Sequence, residues 1–228
     1  MSTPTVPRPA ARALVVAKAP VPGQAKTRLA RHVGPEAAAD LAAAALLDTL
    51  AACQVAFGTE CHLALTGDLA DACRADEIRQ RLQGWRVFTQ TGDTFAARLA
   101  HAHRAVAGDA PGPVVQVGMD TPQVSPELLR RAASRVRPGR ALLGPAVDGG
   151  WWLLGLDDPA AADVLVGVPM SSAETGRETH RALVAHGLEI EYAPTVRDVD
   201  TLEDAARVAA EAPHTRFAAA WSRLAAVA

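Results

Sequence analysis

Ala13-Leu14-Val15-Val16-Ala17-Lys18-Ala19-Pro20-Val21-Pro22-Gly23-Gln24-Ala25-Lys26-Thr27-Arg28-Leu29 decides the class of the fold. Its first five residues form a short, continuous apolar run, as in a strand buried on both faces. Pro20, Pro22 and Gly23 then enforce a loop, and Lys26 to Arg31 begins a helix. Working outward, Pro35 to Cys53 reads as a long Ala/Leu-rich helix with proline in its first turn. Cys61 to Thr66, Arg86 to Thr89 and Pro113 to Val117 read as strands two to four, and Thr94 to Val106 as a helix. Ser125-Pro126 opens a further helix, with serine as N-cap. Ala141 to Leu143 and Trp151 to Leu156 are two strands around an Asp148-Gly149-Gly150 turn. Glu174 to His186 is a helix stopped by Gly187, Glu189 to Ala193 a strand, and Leu202 to Glu211 and Phe217 to Ala225 helices. Strands alternating with helices imply right-handed crossovers and a mostly parallel sheet covered on both faces, so the expected class is a single α/β domain over residues 13–228. Such sheets bind ligands outside the carboxyl ends of their strands.

The chain has 228 residues, 49% of them hydrophobic and 21% charged, which suits one globular domain. A net charge of -2 gives no electrostatic footprint for nucleic acid. No uninterrupted apolar run of about 18 residues suggests a membrane span. Met1 to Arg12 lacks the apolar stretch of a signal peptide and reads as a flexible tail on a cytoplasmic protein. The three cysteines form no C-x-x-C pair and read as reduced, structural thiols. His101 and His103, two apart on a helix, point to different faces and would not share a metal.

Four constellations fall at the ligand-binding edge. In the first loop, Lys18, Lys26 and Arg28 follow strand one around Gly23, an arrangement suited to phosphate. It is not a P-loop: proline at 20 and alanine at 25 stand where glycines are required. After strand four, Asp120 in Gly118-Met119-Asp120-Thr121-Pro122 suits a hard cation, or simply a helix-entry turn. Asp198 and Asp200 would share one face of an extended stretch and repel unless a cation or arginine lies between them. One of them could instead cap the following helix. In Asp148-Gly149-Gly150-Trp151-Trp152, the glycines could admit a ligand close to the backbone and Asp148 could accept a hydroxyl proton. An indole could wall a ring, although strand alternation should turn at most one tryptophan to the site. Gly92-Asp93 with Arg98, and Met170-Ser171-Ser172, are weaker signals.

In order and spacing these segments resemble the bacterial selenodomain- or arsenosugar-associated glycosyltransferases of the nucleotide-diphospho-sugar transferase superfamily. The Lys-Thr-Arg-Leu and Asp-Val-Asp-Thr segments are also similar to guanylyltransferases acting on 2-phospholactate or phosphoenolpyruvate. The resemblance implies a GT-A fold with a Rossmann-like nucleotide half. It implies a nucleotide side at Ala17, Lys18, Ala19, Pro20, Gly23, Lys26, Arg28, Gly92, Asp93 and Arg98. It implies Mg²⁺ or Mn²⁺ on Asp120 and Asp200, with Asp198, and a sugar or acceptor side at Asp148 to Trp152 with Ser171 and Ser172. Asp120, Asp148, Lys26 and Arg28 would act in catalysis. The sequence departs from the family where Trp151 and Trp152 replace tyrosines, where Met170-Ser171-Ser172 replaces Trp-Ser-Thr, and where Asp120 lacks the second aspartate of an Asp-x-Asp motif.

The leading expectation is glycosyl transfer from a nucleotide-sugar to a small acceptor by a monomer or homodimer. The alternatives are nucleotidyl transfer from an NTP to a phosphorylated small molecule, for which three loop cations would suit a triphosphate, and a non-catalytic nucleotide-binding protein.

Overall fold

The apolar run near the start of the chain forms β1 (Arg12–Lys18), with every residue but Lys18 buried. It is an interior strand, third from one edge of a seven-stranded sheet. The computed structural model describes residues 10–109 and 112–226. Most of the expected tail therefore lies outside the described residues, but its last residue is not tail. Arg12 is the first residue of β1 and only 1% exposed. Its guanidinium donates to the carbonyls of Val106 (2.5 Å) and Gly112 (2.8 Å). A charged residue met next to Pro-rich sequence reads as tail; what buries it is two carbonyls about a hundred positions downstream, invisible to local pattern.

The remaining strands are β2 (Cys61–Thr66), β3 (Arg86–Thr89), β4 (Val114–Gly118), β5 (Arg140–Pro145), β6 (Trp151–Leu156) and β7 (Glu189–Tyr192). They pair in the order β3-β2-β1-β4-β6-β5-β7. All pairings are parallel except those of β6, which runs antiparallel to β4 and β5. From β1 the chain steps outward through β2 and β3, then returns to place β4 on the other side of β1. That reversal opens a crevice at the carboxyl ends of β1 and β4, the place where open α/β sheets bind ligands.

The helices are α1 (Thr27–Val33), α2 (Pro35–Phe57), α3 (Ala75–Arg81), α4 (Phe95–Asp109), α5 (Pro126–Arg135), α6 (Thr175–Ala185), α7 (Leu202–Glu211) and α8 (Arg216–Ala225). A 3₁₀ helix covers Pro159–Gly167. Alternate β1 residues feed two cores. Ala13 and Val15 pack with Leu46, Leu47 and Leu50 of α2, whereas Leu14 and Val16 pack with Leu99 and Val106 of α4. A third cluster joins α1, α2, α7 and α8 through Leu29, Leu41, Val208 and Phe217.

By length and composition α2 could cross a membrane, with 23 residues and a window of mean hydropathy 1.5, which the sequence reading did not anticipate. The fold accounts for that composition: α2 is buried against the sheet on one side and α8 on the other. Asp48, the acidic residue on its buried surface, accepts from the backbone N–H groups of Arg216 (3.1 Å) and Phe217 (2.9 Å) at the first turn of α8. Burial pushes this carboxyl up, and the two N–H donors oppose the rise. Asp48→Ala strands both donors at a buried helix start. It should cost about 2–3 kcal/mol, seen as a fall in Tm of roughly 5–10 °C. A Tm unchanged within error would show that the contact contributes nothing.

Candidate functional site

The crevice between β1 and β4 is a cavity of about 470 Å³. Its walls come from the carboxyl ends of β1, β2 and β4, the first turn of α4, the start of β6, the loop before α6 and the segment before α7. On the β1 side it is lined by Ala17, Lys18, Thr66, Gln90, Phe95 and Arg98. Asp120, Asp148 and Asp198 also line it, as do Gly150, Trp151, Trp152, Met170, Ser171 and Ser172. Most of the residues singled out from sequence therefore meet in one place.

The first loop departs from expectation. Of its three cations only Lys18 lines the cavity, and its ammonium donates to the Gln24 carbonyl at 2.9 Å. Lys26 is turned inward: its ammonium, 10% exposed, lies 2.9 Å from Asp120 Oδ1 and donates to the Val199 carbonyl. Arg28 pairs with Asp200 at 2.6 Å, away from the cavity lining. Ala19 and Pro20 are buried, tied by Ala19 N–H to the Thr66 carbonyl (2.8 Å) and by the Pro20 carbonyl to Cys73 N–H (3.0 Å). Gly23 serves a turn at φ 75°. The loop is thus a brace that aims Lys18 and holds Asp120, and it does not wrap the cavity. Gly92 and Asp93 also lie off the lining. The Gly92 carbonyl receives Arg98 Nε at 3.0 Å, and a Cβ on Gly92 would stand 2.9 Å from the Ala97 and Arg98 backbone.

Asp120 and Asp198 are brought together by backbone pairing. Val199 N–H donates to the Asp120 carbonyl at 2.9 Å, setting the 198–200 segment against the end of β4. Asp120 Oδ1 is buried and receives no aligned hydrogen bond; its contact with Lys26 is one of charge. Burial, then the negative charge of Asp148, pushes Asp198 up to about 6, with Lys26 opposing and Asp120 adding to the rise. An under-satisfied carboxylate beside a strained one is a donor set that a hard cation would relieve, with phosphate oxygens and waters as its other ligands. Among the described residues no three His, Cys, Asp or Glu side chains converge as a complete metal cage. Asp200, expected among the metal ligands, is held by Arg28 and does not join them.

On the opposite wall, Asp148 Oδ1 accepts from Gly150 N–H at 2.8 Å. The paired glycines serve packing. A Cβ on Gly149 (φ 89°) would stand 2.1 Å from the Ala173 carbonyl oxygen, and the Gly149 carbonyl accepts from Gly176 N–H at 2.8 Å. Both tryptophans line the cavity, where alternation allowed one. Gly144 pairs with Leu153 but Pro145 with Trp151, so Trp152 is the extra residue of a β-bulge that re-aims the strand end. Met170-Ser171-Ser172 forms the rim, with Ser171 left-handed at φ 59°.

Sequence reasoning missed Thr66, Gln90 and Phe95. The Thr66 hydroxyl is buried without a partner, and Phe95 is 47% exposed at the mouth. Gln90 spends its amide nitrogen on the Ala17 (2.8 Å) and Ala64 (3.0 Å) carbonyls. Their placement at the end of β2, just past β3 and at the start of α4 was the available signal. Among the described residues no histidine lines the cavity. His103 is fully buried against Gln116 (2.8 Å) and pushed down to about 4 by burial. The cysteines are free thiols, and burial pushes Cys61 up to about 12.

The Asp198 shift has a definite sign. A carboxyl whose folded value exceeds its ordinary 3.8 contributes stability below that value and loses it as pH rises through about 6. In metal-free buffer Asp198→Asn should therefore melt a few degrees above the unmodified protein at pH 8, and the gap should close toward pH 4. Thermal unfolding across that range checks it; a gap independent of pH would contradict it.

Among solved structures, the chain is similar to a protein from Desulfovibrio desulfuricans G20, provisionally named a nucleotide-diphospho-sugar transferase. Identity is 26%, 95% of each chain is covered, and the TM-score is 0.81. A nucleotidyl transferase from Methanothermobacter matches at 20% identity over 87% of this chain and 95% of its own, TM-score 0.55. Rv0371c of Mycobacterium tuberculosis H37Rv, in complex with manganese, matches at 19% identity over 88% and 98%, TM-score 0.52. These likenesses place the fold among nucleotide-diphospho-sugar transferases and nucleotidyltransferases. No curated protein sequence matches significantly. The family model described as "Uncharacterized protein conserved in bacteria (DUF2064)" matches residues 49–172, more than half of the chain, which therefore belongs to the DUF2064 family.

Proposed function

We propose that this chain is a metal-dependent transferase that moves a glycosyl group from a nucleotide-diphospho-sugar to a small acceptor. The observation that carries the reading is that two carboxylates, Asp120 and Asp198, share the switch-point cavity with the cations Lys18 and Arg98. In this reading a diphosphate would sit between these groups. Lys18 and Arg98 would face its oxygens, and Asp120 and Asp198 would hold Mg²⁺ or Mn²⁺. Such a metal neutralises charge on a departing phosphate oxygen. Phe95, exposed at the mouth beside Gln90 and Thr66, offers a face for a base or ribose. Asp148, on the acceptor side, is placed to take the proton of an attacking hydroxyl. The likeness to the Desulfovibrio protein supports the donor class, and the manganese in the mycobacterial neighbour's structure supports a divalent metal. The resemblance to selenodomain- or arsenosugar-associated glycosyltransferases and a cytoplasmic setting belong to the same proposal.

Nucleotidyl transfer rested on three loop cations to match a triphosphate and on the missing second aspartate of an Asp-x-Asp motif at Asp120, which still stands in its favour. With Lys26 paired to Asp120 and Arg28 to Asp200, one of the three lines the cavity, which favours the diphosphate donor.

Thermal unfolding against NTPs and nucleotide-sugars, each with Mn²⁺ or chelator, tests the reading. At 100 times its Kd the true donor should raise Tm by roughly 5–10 °C, and only with metal. A shift with an NTP and none with any sugar nucleotide would make the protein a nucleotidyltransferase. Asp120→Asn should remove the metal-dependent part of the shift; a full shift in that variant would remove the metal assignment.

The geometry also separates the cations. Arg98→Ala should raise the nucleotide Kd about tenfold or more, as loss of a charged hydrogen bond requires, whereas Arg28→Ala should change it less than about twofold. The reverse ranking, measured by calorimetry, would return the phosphates to the first loop.

A further inference from the structure

The two ends of the cavity differ in charge. Its lining cations, Lys18 and Arg98, are both anchored on the β1–β3 side: Lys18 Nζ to the Gln24 carbonyl and Arg98 Nε to the Gly92 carbonyl. The wall made by the start of β6 and the loop before α6 holds no Lys, Arg or His among the described lining residues. Its charged group is the Asp148 carboxylate. Apart from the exposed Ser171 hydroxyl, the rest is apolar or already satisfied. Trp151 donates its indole N–H to Thr179 Oγ1 (3.1 Å), and Trp152 donates its own to the Pro194 carbonyl (3.0 Å). Trp151, half-buried, therefore presents hydrocarbon and π surface, whereas Trp152 is 3% exposed and belongs to the core. The Thr175 hydroxyl is spent on the Pro169 carbonyl (2.9 Å).

A phosphorylated or carboxylated acceptor seated on this wall would meet the Asp148 carboxylate and an indole face, with no cationic side chain of the wall to receive it. A neutral molecule with a ring or apolar face and a hydroxyl group meets complementary chemistry: indole for the ring and Asp148 for the hydroxyl. We infer that the acceptor is an uncharged, hydroxyl-bearing compound with an apolar or cyclic face, seated on Trp151. This rests on the proposed glycosyl transfer. The acceptor oxygen bonds to the anomeric carbon of the donor, and its proton passes to Asp148. The bond from that carbon to the β-phosphate oxygen breaks, and its electron pair leaves with the nucleoside diphosphate.

Calorimetric titration of the full chain with Mn²⁺ tests the inference, using phenyl β-glucoside and myo-inositol as neutral probes and phosphoenolpyruvate as the anionic one. The inference expects a neutral probe to bind about tenfold or more tighter than phosphoenolpyruvate, and Trp151→Ala to weaken it about tenfold. The nucleotide-induced Tm shift of that variant, measured in parallel, should stay intact and shows that it folds. Equal or tighter binding of phosphoenolpyruvate, no binding of either neutral probe, or neutral binding indifferent to Trp151→Ala overturns the inference. Loss of the nucleotide shift in the unmodified protein would instead defeat the donor reading, so the two failures are distinguishable.

Discussion

The site is assembled by one buried ammonium. Lys26 lies between the Asp120 side chain and the Val199 carbonyl, and so joins the first loop, the turn after β4 and the segment before α7, three parts of the chain far apart in sequence. Lys26 is 10% and Asp120 36% exposed, so removing Asp120 would leave a nearly buried ammonium without its counter-charge. The pair is reinforced by Val199 N–H on the Asp120 carbonyl (2.9 Å). Lys26 itself is held left-handed (φ 49°, ψ 47°), a sparsely populated conformation for a lysine, at the residue that opens α1. The brace fixes where Asp120 and Asp198 stand, and through Asp198 how the electrostatics of the cavity are set.

That constraint gives the cavity its polarity. Carboxylates gather at its centre, cations are tethered toward β1 and β3, and indole surface lies toward β6. A nucleotide diphosphate and a hydroxyl acceptor differ in the same sense along the same line. Pre-placed charges of this kind act where charge develops, without reorganisation during reaction. The bulge at Trp152 and the left-handed Ser171 are local irregularities on the wall proposed for the acceptor, where departures from ideal geometry are expected to serve a ligand.

Much of this was legible in the sequence. The strands Cys61–Thr66 and Arg86–Thr89 and the helix Leu202–Glu211 fall where pattern places them, because turn residues or caps bound each of them. The Thr201–Asp204 capping box is itself a sequence signature. Helix α3 escaped because it is polar, with Ile78 as its buried residue, and the 3₁₀ stretch at Pro159–Gly167 has no helical period to find. The site divides the same way. Lys18, Arg98, Asp120, Asp148 and Asp198 could be read from their places at strand ends and loop exits. That Lys26 and Arg28 are spent on Asp120 and Asp200 could not, because those partners lie far off in sequence and no local period encodes the pairing.

The central claim is that Asp120 and Asp198 hold a divalent metal over the carboxyl ends of β1 and β4. Anomalous diffraction from crystals grown with Mn²⁺ and the nucleotide that stabilises the protein most would test it directly. The account predicts a single strong manganese peak within ligand distance of Asp120 and Asp198, with phosphate oxygens completing its shell. A peak on Asp200, or a bound nucleotide with no manganese beside it, would contradict it.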